Sequence, residues 1–239
     1  MKFKTLSAMC LAATTVLATS SAMAWESEDG QHSTSASVEL ASDYVWRGVS
    51  QTLNKPAISG SFDYEHASGF YAGTWASNVD FDDDASSEID IYAGFAGEFG
   101  ESGIGFDIGV LRYMYPGEAT LNWNEVVGSL SYSYFTFGVA HSGDVFGTSE
   151  TGTYYSLGFD YDLPMDIGFS AGIGYYDFNS SVTESGDPNS YRDYMVGISK
   201  EMIGLDFGLT YTSSDSDGKK IFGKRYADDR LILTVGKTF

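Results

Sequence analysis

Residues able to do chemistry are few and scattered. Beyond the first 24 positions, histidine occurs only at His32, His66 and His141. His141-Ser142 followed by Asp144 supplies the residue types of a Ser/His/acid hydrolase. A triad depends on mutual geometry, and neighbours on an extended strand point to opposite faces. His141 is therefore read as a residue at a strand end, and no enzymatic activity is expected. Asp82-Asp83-Asp84 and Asp215-x-Asp217-Gly218 offer carboxylates to a hard cation. The second run lacks the remaining ligands and closing Glu of a calcium loop, so both are expected to be solvated loop acids, with loose Ca²⁺ or Mg²⁺ association as the alternative. Gly103-x-Gly105 and Gly172-x-Gly174 fall inside strand-like segments, which excludes phosphate loops and points to close packing or curvature. Lys219, Lys220, Lys224 and Arg225 form a small basic cluster, either a solvated loop or a contact for lipopolysaccharide phosphates. No metal site and no cofactor is expected.

What is left is electrostatic. Thirteen Lys and Arg stand against 33 Asp and Glu, a net charge of −20. That balance excludes nucleic acid as a partner, since nucleic acid attracts basic surfaces. An aromatic content of 15% excludes an acidic disordered tail. Many acids alternate with apolar residues, which assigns Glu39, Asp43, Asp63, Glu65, Glu88, Asp90, Asp107, Asp160, Asp162 and Asp206 to one face, with Arg47 among them. A water-filled interior lined by these carboxylates would concentrate cations and repel anions. Alternatively, the acids lie at strand ends or are tied to Arg47, Arg112 or Arg192 inside a plugged barrel.

The elements that must position these groups are strands. Val38 and Leu40 are expected to share a face with Tyr44 and Trp46, opposite Glu39, Asp43 and Arg47. Ile58, Phe62 and Tyr64 alternate with Ser59, Ser61, Asp63 and Glu65, and Ile89, Ile91, Ala93 and Phe95 with Glu88, Asp90, Tyr92 and Gly94. The same period of two returns at 104–110, 155–162 and 205–211. Connections alternate as well. Segments 47–55, 80–87, 115–123, 142–152, 178–190 and 213–227 are long and polar. Short links fall at 67–69, near Gly100, at Ser133-Tyr134, at Leu163-Pro164-Met165 and around Glu201. Long alternating with short is the pattern of an all-β, antiparallel up-and-down transmembrane β-barrel, here with roughly twelve strands and both termini at the short-turn end. Mean hydropathy of −0.15 agrees, because a barrel needs apolar residues only at alternate positions. Tyr44, Trp46, Tyr64, Phe70, Tyr71, Trp75, Trp123 and Tyr211 are candidates for interfacial aromatic girdles.

Both ends of the chain fit export. Lys2 and Lys4, the apolar run from Leu6 to Ala18 and Ala22-Met23-Ala24 have the order of a signal peptide, giving residues 1–24 as leader and 25–239 as the barrel. The run is shorter than the ~20 residues of a spanning helix. The single cysteine, Cys10, lies in that leader, so no disulfide or thiol chemistry is expected. At the other end, Leu231, Leu233, Val235 and Phe239 fall on one face of the last strand, a pattern like the signal read by the outer-membrane barrel-assembly machinery. Lys237 departs from it.

The run Asp43-Tyr44-Val45-Trp46-Arg47-Gly48-Val49-Ser50-Gln51-Thr52 is followed by Pro56-Ala57, Asp63-Tyr64, Ser68-Gly69-Phe70-Tyr71 and Trp75-x-Ser77-Asn78-Val79. This series resembles the TorF-type porin family of proteobacterial outer-membrane β-barrel proteins. Glu88-Ile89-Asp90-x-Tyr92-x-Gly94 and Tyr113-x-Tyr115-Pro116-Gly117 also resemble it, and the similarity extends more weakly to Phe239. The resemblance implies an outer-membrane porin and supplies neither substrate nor functional residues. On the family pattern Trp46-Arg47-Gly48 closes the first strand and opens the first external loop. Arg47 is then expected either at the lumen mouth, pairing with Asp43 or Asp63, or folding the loop through backbone carbonyls. The functional expectation is passive diffusion of small hydrophilic solutes with a cation preference; the alternative is a closed barrel whose external loops bind a ligand or surface. Outer-membrane lipid, lipopolysaccharide and the assembly machinery are the expected partners.

Overall fold

The computed structural model describes residues 25–179, 182–183 and 186–239; the expected leader at 1–24 lies outside the described residues. Twelve long strands form the wall: β2 (His32–Ala41), β5 (Ala57–His66), β6 (Phe70–Asn78), β7 (Ser87–Glu98), β8 (Ile104–Met114) and β9 (Trp123–Tyr132). The wall continues through β10 (Phe135–Ser142), β11 (Gly152–Leu163), β12 (Ile167–Phe178), β13 (Ser190–Met202), β14 (Leu205–Ser214) and β15 (Arg230–Thr238). Each pairs antiparallel with its sequence neighbour, and β15 pairs with β2 to close the barrel. A short β1 (Trp25–Glu26) pairs with the start of β2. Closure leaves no open sheet edge along the wall, so nearly every strand N–H and C=O finds a partner.

Alternation sorts the two faces. Leu40 (57% exposed), Ile58 (56%), Ile108 (58%) and Leu233 (60%) point outward with most of the aliphatic strand residues, Leu111 and Ile232 being inward exceptions. Serine, glycine and carboxylate residues point inward. Glycine lets large inward side chains lie flat on the wall: a side chain at Gly174 would collide with the Tyr154 hydroxyl and the Asp193 carboxylate.

Turns between strands are short at one end, down to Ser133-Tyr134 and Ile203-Gly204, and long at the other. The turn expected around Glu201 falls two residues later, because Ile203 (φ 55°) and Gly204 (φ 78°) supply the left-handed pair a tight hairpin requires. The last long loop holds two short helices, α1 (Ser216–Ile221) and α2 (Lys224–Ala227). Asp215 caps α1 by accepting hydrogen bonds from the Asp217 and Gly218 N–H groups. The Asp215-x-Asp217-Gly218 run is thus a helix start.

The first strand differs most from expectation. It ends at Ala41, and the chain then turns into the barrel, where β3 (Val45–Trp46) and β4 (Val49–Ser50) form a small hairpin. Tyr44 and Trp46 therefore do not share the outward face of Val38 and Leu40; both are buried. Tyr44, Trp46 and Trp123 belong to the interior aromatic cluster, with Tyr71 and Trp75 packed against it. None of these five is in an outer girdle. A tryptophan near a strand end suits an interface, but here the inward parity of Trp123 and the inward course of the loop decide its side. Phe70 and Tyr211 are exposed on the outer face.

Candidate functional site

The hairpin tip is Arg47-Gly48, with φ of 48° and 76°. Two consecutive positive φ values are what a two-residue type I′ turn demands. Gly48 is required twice over, since a Cβ there would lie 2.6 Å from Asp193 Cβ and from Ser214 Oγ. Arginine in the left-handed region is uncommon, and its surroundings hold it there. Its guanidinium makes a forked pair with Glu125 on β9, Nη1–Oε1 2.8 Å and Nη2–Oε2 2.9 Å. Trp46 and Tyr154 rings lie 4.2 Å from its Cζ, and Tyr176 at 4.9 Å. The Tyr113 hydroxyl donates to Glu125 Oε2, the Tyr191 hydroxyl to the Arg47 carbonyl and Ser214 Oγ to the Gly48 carbonyl. Anchored between β2 and β5, the hairpin therefore reaches across the lumen to β9, β11, β12 and β13, and to β14 nearer its own side.

Arg47 reaches the lumen, but its partner is Glu125, neither Asp43 nor Asp63. Asp43 instead accepts from Ser50 and Thr52 at the hairpin base and pairs with Arg230 at 2.9 Å. Asp63 accepts from Ser61 and Tyr92. Geometry explains the outcome: a tip six residues beyond the end of β2 has passed its own strand and meets the opposite wall.

The other candidate acids separate by depth. Glu88 and Asp90 lie buried on β7, with the Tyr44 hydroxyl donating to Glu88. Asp63, Glu65 and Asp107 are half-buried and Asp160 is exposed, all pointing inward toward the short-turn end. Asp107 accepts from the Tyr71 hydroxyl. Glu39 and Asp206 both pair in register with Gly236, so two carboxylates flank a residue without a side chain. Arg112, Arg192, Lys200 and Lys237 have outward parity. Among the described residues, no Lys or Arg faces inward in the short-turn half.

Sequence reasoning missed Glu125, Asp193 and the inward tyrosines 113, 154, 176 and 191. Trp123, Glu125 and Val127 follow the same period of two that located the other acids, so Glu125 was within reach of that signal. His141 and Ser142 take opposite faces: His141 bonds Thr153 Oγ1, while Ser142 is buried and accepts from the Asp144 N–H. In the loops, Asp82 pairs with Arg225 and Lys220 with Asp217. Lys219 clamps Asp229 at 2.6 Å and Asp228 at 3.3 Å. Hydrogen bonds from Lys219 and then Ser213 bring the Asp229 carboxyl down to about 2.

A closed twelve-stranded antiparallel barrel, entered from one end by its own first loop, defines the class of protein. The chain belongs to the family described as a bacterial protein of unknown function (Gcw_chp), whose profile matches residues 26–239. That description carries neither the TorF-type name nor a function. No curated protein matches the sequence. Among solved structures the chain is similar to KdgM porin, at 9% identity and a TM-score of 0.56 over 86% of this chain and 98% of that one. KdgM porin in complex with disordered oligogalacturonate gives 9%, 0.52 and the same coverage. An outer membrane channel from Pseudomonas putida F1 gives 10% and 0.48, over 90% of this chain and 98% of that one. At such identities the KdgM likeness is one of fold.

Proposed function

We propose that this protein is a porin of the Gram-negative outer membrane, passing small hydrophilic solutes with a preference for cations through a bore narrowed by the 42–56 hairpin. The observation that carries this reading is the contrast between the faces of the closed wall. The outer face exposes aliphatic residues at alternate positions, which in water would form an apolar surface far larger than soluble proteins tolerate. In lipid that face is at home, and closure satisfies the backbone. The inner face toward the short-turn end offers carboxylates with no opposing Lys or Arg among the described residues. The TorF-type likeness and the leader-like residues 1–24 support the same location. Oligogalacturonate, bound by KdgM porin, is an acidic saccharide; an acid-lined bore would repel one, so neutral or cationic solutes are the better fit here. Leu231, Leu233, Val235 and Phe239 would serve as the assembly signal.

The test is single-channel recording of the refolded 25–239 chain in a planar bilayer under a KCl gradient. Discrete steps with a cation-selective reversal potential are expected; an anion-selective potential would refute the preference. A second reading is favoured by the span of the hairpin across the lumen: a closed barrel whose loops bind a ligand. Silent bilayers from a barrel with heat-modifiable migration, together with no swelling of sugar-loaded proteoliposomes, would select it.

A further inference from the structure

The long loops surround an open cavity of about 390 Å³, which the hairpin floors on one side. Five separate segments contribute to it. Its walls are aromatic: Trp46 from the hairpin, Tyr115 and Trp123 at the β8–β9 connection, Phe146 before β11, and Phe222 and Tyr226 from the helical loop. Two carboxylates, Glu88 and Asp83, also line it, and no Lys, Arg or His does so among the described residues. Glu88 is 1% exposed. Its Oε1 accepts from Tyr44, while Oε2 is buried without a hydrogen-bond partner. The indole Nε1 of Trp46 is likewise buried and unpartnered.

A buried carboxylate oxygen and an indole donor left unsatisfied each cost free energy, and they adjoin a concave space of ligand size. Indole, phenol and phenyl faces carry negative electrostatic potential and attract a cation lying over them. No basic side chain is in the lining among the described residues, and the nearby Arg225 and Arg47 are each neutralised by a carboxylate, Asp82 and Glu125, so Glu88 and Asp83 disfavour an anion and favour positive charge. We propose that this cavity is a binding site for an organic monocation with an apolar body, such as an aryl- or alkylammonium, whose charge lies over the aromatic faces toward Glu88. Solute passage is a separate matter, since a ligand can occupy the mouth whether or not the hairpin admits flow.

The experiment uses the refolded chain in lipid nanodiscs and follows intrinsic tryptophan fluorescence, because Trp46 and Trp123 line the cavity. Benzyltrimethylammonium is the probe, with benzyl alcohol as neutral and benzoate as anionic comparison. Saturable change with the cation at an affinity at least tenfold above benzyl alcohol, and none with benzoate, is expected. Glu88→Gln keeps an acceptor for Tyr44 and should weaken cation binding about tenfold, leaving benzyl alcohol unaffected. Tyr226→Ala, in the helical loop, removes an aromatic face together with the hydroxyl's hydrogen bond to the Phe81 carbonyl, leaves the barrel strands untouched, and should weaken the cation severalfold. Heat-modifiable migration verifies folding of both. Equal affinity for cation and alcohol, stronger binding of benzoate, unchanged cation affinity in folded Glu88→Gln, or no saturable change with the cation would each overturn the proposal.

Discussion

The two halves of the barrel interior are built from the same strands yet differ in what those strands turn inward. On β8 the inward series from the long-loop end is Tyr113, Leu111, Gly109, Asp107; on β11 it is Tyr154, Ser156, Gly158, Asp160. On β12 it is Tyr176, Gly174, Gly172, Ser170. Large rings fill the long-loop half and close around the hairpin, where Tyr113, Trp123, Tyr176 and Tyr191 have almost no exposure. Small and charged residues, with Tyr71 the large ring among them, line the short-turn half. Twelve strands lie between barrels filled by their own side chains and open 16-stranded porins. Inward side-chain size, graded along each strand, lets one cross-section take both forms.

Four experiments would break or sharpen that contrast. Replacing residues 44–52 by a Gly/Ser linker should give the largest effect: conductance should rise severalfold in bilayer recordings while heat-modifiable migration persists. Unchanged conductance would mean that the long-loop half does not set the resistance. Arg47→Ala comes next, because it leaves Glu125 buried without its partner, a change that costs about 3–5 kcal/mol. The temperature of the heat-modifiable transition should fall, and Arg47→Ala combined with Glu125→Gln should recover part of the loss. Neutralising Asp63, Asp107 and Asp160 together to Asn should move the reversal potential toward zero with little change in stability; a retained cation preference would shift the filter to Glu39 and Asp206.

The smallest effect is a pH response of the helical loop. Asp229 is held at about 2 against an ordinary 3.8. A depressed carboxyl contributes stability above its unfolded value and loses it as pH falls through the folded one. Tryptic cleavage after Lys219 or Lys220 cannot report at such acidity, so pepsin cleavage of the 215–229 loop should accelerate between about pH 4 and 2. Lys219→Met should be cleaved faster already at about pH 4 and show a flatter rise toward about pH 2, rates being referred to an unstructured peptide substrate. Identical pH profiles in both proteins would remove the clamp from the account.

Strand number, alternation and the order of long and short connections were legible in the sequence because a wall with one apolar and one polar face writes a period of two into every strand. The inward hairpin was not. Tyr44 and Trp46 continue the alternation of Val38 and Leu40, so the pattern runs on past the point where the chain leaves the wall. Local periodicity cannot distinguish a strand facing lipid from a hairpin facing a lumen. The Arg47–Glu125 pair joins residues 78 apart, and only the closed geometry brings them together. The graded inward sizes, by contrast, stand in the sequence and needed only the assignment of ends to be read.

The hairpin is tethered at both ends to adjacent strands, β2 and β5, and its tip is fixed across the lumen to Glu125 and Tyr191. It is a strut held at three points, and on the channel reading a solute must pass beside it.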